Sequence, residues 1–386
     1  MGELTLLRDG NPWGTGTPTE LYIRNGRFVA AGEPDRVIDL AGAQVFPGLI
    51  DAHCHLDKTL WGARWVPNTA GPRLADKIDY VRRRGVEFGV PSADRVAALL
   101  RHMSSRGTTR VRTHTDVAPH LGLDGCHAVR EAAEQVADRI TVQQAAFPQF
   151  GLLTNPGTLE LMDRALRTGL AQVVGGIDPA GVDRDPVRHL DAVFGLATTH
   201  AAPVDLHLHD RGTLGAWQLE LIIERARATG MHGRVTVGHA YALGDVEPAR
   251  QADLVAGLAE AGISIATCAA HSDPLPPLHA MGAAGANLAA GSDGIRDLWS
   301  PYGDGDMLTR ARQLAYRADC HADDEIDVAL RAATFGGAIA LGHSGYGLRE
   351  GDVADLVAVP GATAAEAVVT CGERALVMHA GKVVAP

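Results

Sequence analysis

The middle of the chain alternates between two patterns of hydrophobic and polar positions. Short apolar runs, rich in β-branched residues, end in polar residues, and amphipathic stretches rich in Ala, Leu, Arg and Glu follow them. This alternation predicts βα units that share one parallel sheet. The predicted strands span residues 43–53, 108–116, 140–149, 171–178, 203–210, 233–240, 262–270 and 285–293. Helices are predicted over residues 125–138, 157–168, 184–200, 213–229 and 247–260.

The number of predicted strands indicates the fold class. Eight strands within about 250 residues match a closed (β/α)8 TIM barrel, and this is the α/β fold that we expect. An open doubly wound sheet is the alternative. Such a sheet usually carries a glycine-rich turn after its first strand, at the start of a helix, and no such turn follows residues 43–53.

Both ends of the chain have a different pattern, in which short strand-like runs are separated by turns. Near the N-terminus, Asn25-Gly26 lies between two alternating runs, which is a strong signal for a hairpin. Similar runs recur near the C-terminus, at residues 355–359, 375–379 and 381–384. We therefore predict a small flanking β domain formed by residues 1–46 and 346–386, with a barrel at residues 47–345 inserted between the two segments.

Composition narrows the choice of partner and compartment. The chain has 386 residues, a net charge of −11 and no basic block, which argues against a nucleic acid as partner. No apolar stretch reaches the ~18 residues of a membrane span, and the N-terminus lacks the pattern of a signal peptide. The five cysteines are scattered and form no CxxC pair, so we expect the reducing cytoplasm and no disulfide framework. A small molecule is the expected partner, and assembly into a homo-oligomer is left open.

The first predicted strand runs into two histidines, His53 and His55, separated by one residue. Side chains alternate between the two faces of a strand, so these imidazoles point the same way and can share one metal ion. The alternative is an ordinary histidine pair that faces solvent or the core. Cys54 lies between them and is expected to face the opposite side as a small buried residue.

Ionisable residues recur at the ends of further predicted strands. In a parallel barrel the chemistry takes place at the carboxyl ends of the strands, although one strand-end histidine on its own is usually structural. Five strands end in this way here, at His53 and His55, His114 and Asp116, His207 and His209 with Asp210, His239, and Asp293. This recurrence favours a hydrolytic metal site over coincidence.

Three imidazoles and one carboxylate suit zinc or ferrous iron and leave room for a water. The ligands that we assign are His53, His55, His207 and Asp293. His239 is placed near the attacking water, and His209 competes with His207 because both share one strand face. One metal is expected, because the fourth strand offers no Lys or Glu to bridge two ions, although Asp178 leaves an opening for a second.

These segments resemble the amidohydrolase superfamily, and more narrowly its bacterial cytosine deaminase-like branch. The resemblance covers nearly the whole chain and rests on segments at Pro47–Thr59, Arg112–Val117, Ala146–Gln149, Gly175–Pro179, Asp205–Asp210, Val237–His239 and Gly291–Asp293. The branch includes enzymes that remove substituted amines from triazine rings. The resemblance implies a barrel with a flanking β domain and one zinc or iron ion at the four assigned ligands. It also implies that Gln149 hydrogen-bonds an amide-like edge of the substrate ring, and that His239 polarises the attacking water or stabilises the oxyanion.

Two positions depart from the pattern of cytosine deaminases. Their catalytic Glu, three residues after the strand-five His, is replaced here by Asp210, and the Asp that follows their strand-eight Asp is replaced by Gly294. These replacements weaken the case for cytosine itself, and the second frees space for a larger leaving group. Lys58 and the loop at residues 271–273 also differ from that pattern.

The expected function is metal-dependent hydrolysis that removes ammonia or a substituted amine from a small nitrogen heterocycle, such as an aminopyrimidine or an aminotriazine. In this scheme the metal activates a water, Asp293 accepts its proton, Asp210 protonates a ring nitrogen and His239 supports the developing charge. Asp210 has an alternative role as the N-cap of the helix predicted at 213–229.

Residues that are expected to contact the substrate are Gln149, His114, Lys58 and Trp299. For His114 the alternative is support of a metal ligand, and for Trp299 it is packing. Two other functions remain as alternatives. One is hydrolysis of a cyclic amide or lactone, and the other is non-catalytic binding of a metal or ligand on the same fold.

Overall fold

The computed structural model describes residues 2–15, 19–71 and 74–385. Within these ranges the strands are β1 (Thr5–Pro12), β2 (Thr19–Arg24), β3 (Arg27–Val29), β4 (Arg36–Asp39), β5 (Gln44–Pro47), β6 (Leu49–His55), β7 (Thr108–Asp116), β8 (Thr141–Phe147), β9 (Val173–Ile177), β10 (Val204–Leu208), β11 (Val235–His239), β12 (Ser264–Thr267), β13 (Leu288–Ala290), β14 (Asp293–Gly294), β15 (Leu356–Val359), β16 (Leu376–His379) and β17 (Lys382–Ala385). The helices are α1 (Leu74–Arg84), α2 (Ala93–Ser105), α3 (Asp124–Gln135), α4 (Thr158–Arg167), α5 (Pro186–His200), α6 (Gly212–Ala228), α7 (Pro248–Ala261), α8 (Leu278–Ala284), α9 (Met307–Arg317), α10 (Asp323–Arg331), α11 (Gly337–Ala340) and α12 (Ala364–Thr370).

Strands β6 to β14 form one parallel sheet in the order β13-β12-β11-β10-β9-β8-β7-β6-β14. At least one helix lies between each pair of consecutive strands from β6 to β13. Only Gly291 and Ser292 separate β13 from β14, so one short segment of chain touches both edges of the sheet. The predicted α/β class with a parallel sheet is therefore confirmed, and each of the eight predicted strands contains an observed one.

The first predicted strand, however, is two strands. β5 joins a second sheet, whereas β6 belongs to the parallel sheet and continues to His55. Gly48 lies between them, and a Cβ at this position would come within 2.4 Å of the Thr109 side chain. The sequence pattern was continuous across the break because every residue of both strands is buried.

The second sheet combines segments from both ends of the chain, in the order β17-β16-β15-β5-β1-β2-β3, with β4 paired to β1. The turn at Asn25 and Gly26 connects β2 to β3, and these residues have the positive φ angles, 52° and 77°, that a tight hairpin requires. The buried apolar residues of this second sheet include Leu7, Phe28, Val45 and Leu356.

Arg112 fills the interior of the parallel sheet beneath the strand ends and is 1% exposed. Its guanidinium donates to Asp205 Oδ2 (2.8 Å), Gln143 Oε1 (2.8 Å) and the carbonyl oxygen of Ala340 (2.8 Å). A buried ion pair needs such additional hydrogen bonds to offset the loss of hydration. This network joins β7, β8 and β10 below the histidines.

No helix in the described ranges has both the length and the apolar character needed to cross a membrane. The five cysteines are unpaired in the structure, and four of them are buried.

Candidate active site

His53 and His55 lie at the end of β6 with their ring centres 5.7 Å apart. Cys54 between them contacts the β7 backbone instead, with its thiol 3.5 Å from the carbonyl oxygen of Arg112. His55 Nδ1 lies 3.0 Å from the carbonyl oxygen of His114, so this nitrogen carries the proton and Nε2 keeps a free lone pair. Both ring nitrogens of His53 are buried and have no hydrogen-bond partner among the described residues.

His207 on β10 and Asp293 on β14 complete a cluster of metal-ligating atoms. The Nε2 atoms of His207 and His55 are 3.2 Å apart, and Asp293 Oδ1 lies 3.4 Å from His55 Nε2. Ligating atoms of His53, His55 and His207 all lie within 4.8 Å of one another. Two nitrogen lone pairs this close repel each other unless a proton or a cation lies between them. The donor set and the unpartnered His53 nitrogens therefore fit a divalent cation.

The protonation states of the cluster also suit a metal. Burial lowers the pKa of His53 and His207 well below the usual range, and neighbouring imidazoles add to this effect. Burial, followed by the charge of Lys58, lowers the pKa of His55 to about 4. Burial alone would raise the pKa of Asp293, but the contact with His55 and nearby histidines hold it well below its usual range. Neutral imidazoles and an ionised carboxylate are the forms that bind metals.

Asp293 reaches the cluster because β14 pairs with the end of β6 in parallel register. The preceding segment must pass very close to His53. A Cβ on Gly291 would lie 2.6 Å from the carbonyl oxygen of His53, so glycine permits this approach.

His209 lies beside the cluster and is held by Asp178, in the loop after β9. The Asp178 carboxylate accepts hydrogen bonds from the His209 backbone N–H (2.6 Å) and from the ring Nδ1 (2.8 Å). The His209 ring stacks on His239 with ring centres 4.2 Å apart and lines the cavity above the cluster. Burial lowers the pKa of His209, but Asp178 outweighs burial and the pKa is raised. The geometry thus places His207, rather than His209, among the clustered ligating atoms.

His239 ends β11 with a positive φ of 67°, and its ring centre lies 4.9 Å from that of His53. Its Nδ1 is 3.4 Å from the Tyr241 hydroxyl, and its Nε2 is buried with no hydrogen-bond partner within the described ranges. Burial, with help from His209, lowers the pKa of His239 to about 3. A neutral His239 therefore stands next to the cluster with one nitrogen unused.

Asp210 points away from the cavity, which contradicts its predicted contact with the substrate. Its carboxylate accepts hydrogen bonds from the Gly181 backbone N–H (3.0 Å) and from Gln218 Nε2 (2.9 Å). The alternative role as a helix N-cap is also wrong, because Arg211 occupies that position of α6. The two hydrogen bonds that His209 donates to Asp178 hold its ring toward the cavity, whereas Asp210 faces Gln218 of α6.

His114 lies below the cluster, is fully buried and is not among the described residues that line the cavity. Its ring centre lies 4.3 Å from that of His53 and its Nε2 is 3.1 Å from Asp205 Oδ1. Its carbonyl oxygen orients His55, as described above. The structure therefore favours the alternative, in which His114 supports the ligating histidines.

A cavity of about 670 Å³ opens above the cluster, and Lys58, Gln149 and Trp299 line it. Lys58 Nζ donates to Asp116 Oδ1 (2.8 Å) and Gln149 Oε1 (2.9 Å) and lies 6.0 Å from a Trp299 ring centre. Gln149 Oε1 already accepts a hydrogen bond from Lys58, so the amide nitrogen of Gln149 remains available to donate a hydrogen bond to a ligand. Trp299 Nε1 is buried and also lacks a partner in the described part of the chain.

Sequence reasoning missed two carboxylates of this site. Asp178 was considered only as a bridge to a second ion, whereas it binds His209. Asp297 was not considered, although it lines the cavity and has one buried, unpartnered oxygen. The sequence did offer one signal. Gly294 stands where cytosine deaminases have an acidic residue, and Asp297 is an acidic residue only three positions further on.

Comparison with known proteins identifies the family of the chain. A family model described as "Amidohydrolase family" matches residues 91–385. The chain belongs to the amidohydrolase family. Within the family, N-isopropylammelide isopropyl amidohydrolase from Pseudomonas sp. strain ADP is 31% identical over 359 residues, which cover 90% of this chain and 87% of that protein.

Two solved structures are similar over nearly the whole chain. N-isopropylammelide isopropylaminohydrolase from Burkholderia multivorans is 39% identical, with a TM-score of 0.95 and coverage of 99% of this chain and 98% of that one. 5-Methylcytosine deaminase from Klebsiella pneumoniae, liganded with 5-fluorocytosine, is 26% identical, with a TM-score of 0.87 and coverage of 98% and 96%. The resemblance to the cytosine deaminase-like and triazine branches is confirmed, and the chain is an enzyme that acts on C–N bonds other than peptide bonds.

Proposed function

We propose that this amidohydrolase removes a substituted amine from a small hydroxylated nitrogen heterocycle, with an N-alkylamino-1,3,5-triazine such as N-isopropylammelide as the leading substrate. The observation that carries the proposal is the convergence of three histidines and Asp293 beneath a cavity lined by donors and Trp299. Two relatives, 31% and 39% identical, are named for the same N-isopropylammelide reaction.

The finer organisation that we propose is a closed (β/α)8 barrel at residues 47–345 with a flanking β domain from residues 1–46 and 346–386. The contact of β14 with β6, one dipeptide after β13, supports closure of the barrel. The chain is further proposed to act in the cytoplasm, because its five cysteines are unpaired.

One divalent metal, zinc or iron, is the proposed cofactor. His53, His55, His207 and Asp293 would hold it, and it would supply Lewis-acid activation of a water when bound. A single ion is favoured because Asp178, the candidate bridge that directly follows β9, accepts hydrogen bonds from His209 at both carboxylate oxygens.

The chain's own residues account for the proton transfers. Asp293 accepts the proton that the attacking water loses, since its carboxylate stays ionised. His209 takes over the part predicted for Asp210. With Nδ1 bound to Asp178, the His209 ring can present an Nε2 proton to a ring nitrogen of the substrate. The unpartnered Nε2 of His239 is free to contact the oxygen that is added to the ring carbon.

The overall reaction balances with water as the only co-substrate. A bond forms between the water oxygen and the ring carbon, the exocyclic C–N bond breaks, and the free amine leaves with the proton released by the water. Gln149 Nε2 and Lys58 hold the polar edge of the ring, and the indole of Trp299 offers a face for stacking.

A screen for amine release tests this function. Metal-reconstituted full-length chain is assayed for isopropylamine or ammonia with N-isopropylammelide, ammelide, cytosine and pterin. We expect turnover of the N-alkylated triazine, loss of turnover in His207→Asn, and normal turnover in His321→Asn, an exposed control. Ring opening without amine release would indicate the cyclic amide or lactone hydrolase instead. No amine release from any compound by folded, metal-loaded protein would refute the proposal.

A further inference from the structure

We propose that Asp297 accepts a hydrogen bond from the N–H of the departing amine and so selects substrates whose exocyclic nitrogen carries a hydrogen. The proposal rests on the amine-releasing function proposed above and names a specificity residue for it. It follows from the position of Asp297 on the cavity wall and from the state of its two carboxylate oxygens.

The Asp297 side chain is fixed by a tight turn after β14. Its Oδ1 accepts hydrogen bonds from the backbone N–H groups of Trp299 (2.8 Å) and Ser300 (2.9 Å), and its own N–H donates to the carbonyl oxygen of Ser300 (3.0 Å). The residue is 5% exposed. One oxygen is therefore committed to the turn, and the direction of the other is set.

The second oxygen covers the glycine next to the proposed metal ligand. An ideal Cβ on Gly294 would lie 2.4 Å from Asp297 Oδ2 and 3.0 Å from its Cγ. Both Gly294 and Asp297 line the cavity. The expectation that Gly294 leaves free space for a larger leaving group is therefore wrong at this point, because the carboxylate of Asp297 occupies that space.

Asp297 Oδ2 is buried and has no hydrogen-bond partner among the described residues. The charge of Lys58 acts on Asp297, but the Lys58 ammonium already donates to Asp116 and Gln149. A buried acceptor without a donor is unfavourable, so a ligand that brings a donor to this oxygen gains more than the same contact in water. Burial also raises the pKa of Asp297 to about 6, against the opposing effect of the turn N–H groups.

The chemistry of the substrate decides which donor this is. The carbonyl oxygens of a hydroxylated triazine and its unprotonated ring nitrogens are acceptors and would repel a carboxylate oxygen, whereas its donors are the ring N–H groups and the N–H of the exocyclic amine. Gly294 directly follows Asp293, which is proposed to take the proton of the attacking water, so a group over Gly294 lies next to the reacting carbon. The donor attached to that carbon is the N–H of the amine that leaves.

The test compares two substrates in two proteins. Asp297→Asn keeps Oδ1 as acceptor for the turn and removes the charged acceptor at Oδ2. The substrates share one ring and differ at the amine, with N-isopropyl as the N–H form and N-isopropyl-N-methyl as the form without N–H. We expect Asp297→Asn to lower kcat/KM on the order of 10- to 100-fold for the N–H substrate and less than about threefold for the other. Asp319→Asn, a charge-matched change at a site whose side chain is 92% exposed, should change neither.

Binding measurements separate this proposal from the proposed function. Dissociation constants of the same two compounds are measured by calorimetry for wild-type chain and Asp297→Asn. A preference for the N–H compound that the variant loses supports the proposal even if no turnover is found. Equal losses on both compounds would mean that Asp297 only maintains the turn, and no loss on either would also overturn the proposal. If Asp297→Asn does not fold, Asp297→Ser, whose hydroxyl can accept from the turn, is measured in the same way.

Discussion

Replacing Asp178 with Asn should slow amine release while leaving the chain folded. Asp178 is 2% exposed and makes two hydrogen bonds to His209, of 2.6 and 2.8 Å. Asn retains one acceptor but loses the charge that orients the imidazole and supports its protonated form. Loss of one charge-assisted hydrogen bond corresponds to ~1.5–3 kcal/mol. If this free energy is lost only in the transition state, kcat falls about 10- to 150-fold and KM changes little.

A double-mutant cycle checks the physical reasoning. Steady-state kinetics are measured for Asp178→Asn, His209→Gln and the double variant. His209→Gln should reduce kcat by about 10²- to 10⁴-fold, and the double variant should lose no more, because Asp178 acts through His209. Asp163→Asn is the matched control, since it removes the carboxylate of a His–Asp pair with His200 (2.8 Å) away from the cavity. Additive losses would refute the positioning role. A loss in Asp210→Asn as large as in His209→Gln would restore Asp210 as the proton donor.

Two further predictions concern the stability of the fold. Burial alone would raise the pKa of Asp183, but its bonds to His189 Nδ1 (2.6 Å) and to backbone N–H groups lower the pKa to about 2. The stabilisation from Asp183 is complete above its unfolded-state pKa of about 4 and is lost as the pH falls toward 2. Between about pH 5 and pH 3, the urea midpoint of the wild-type protein should therefore fall more than that of Asp183→Asn. Equal falls would contradict this. Gly291→Ala should cost about 1–3 kcal/mol in unfolding free energy, because its Cβ would meet the His53 backbone at 2.6 Å. In the control Gly282→Ala, inside α8, the Cβ has no described atom within 4 Å, so the melting temperature should stay the same or rise.

The ligand cluster could be predicted because it follows from strand periodicity. His53 and His55 share one face of β6, while His207 lies near the end of β10 and Asp293 begins β14 in the same parallel sheet. Parallel strands bring their carboxyl ends to one side of the sheet, so residues 150 or more positions apart meet there.

The residues around the cluster could not be predicted in the same way. The strand ends at Leu208. Beyond it, the hydrogen bonds that His209 donates to Asp178, and those that Asp210 accepts from Gly181 and Gln218, determine that His209 faces the cavity and Asp210 does not. At Asp297 a turn returns the carboxylate over Gly294, a relation that one-dimensional spacing does not contain. Both positions lie after a strand, where contacts with neighbouring loops replace the regular alternation of side chains.

We expect amine release to require one divalent ion, held by His53, His55, His207 and Asp293. The protein is first stripped of metal with a chelator and then titrated with zinc or ferrous iron. At each step, elemental analysis gives the bound metal per chain, and the same sample is assayed for release of isopropylamine from N-isopropylammelide. We predict that activity rises in proportion to bound metal and saturates at one ion per chain, and that Asp293→Asn lowers both affinity and activity. Full activity in the chelated protein, or saturation only at two ions per chain, would contradict the claim.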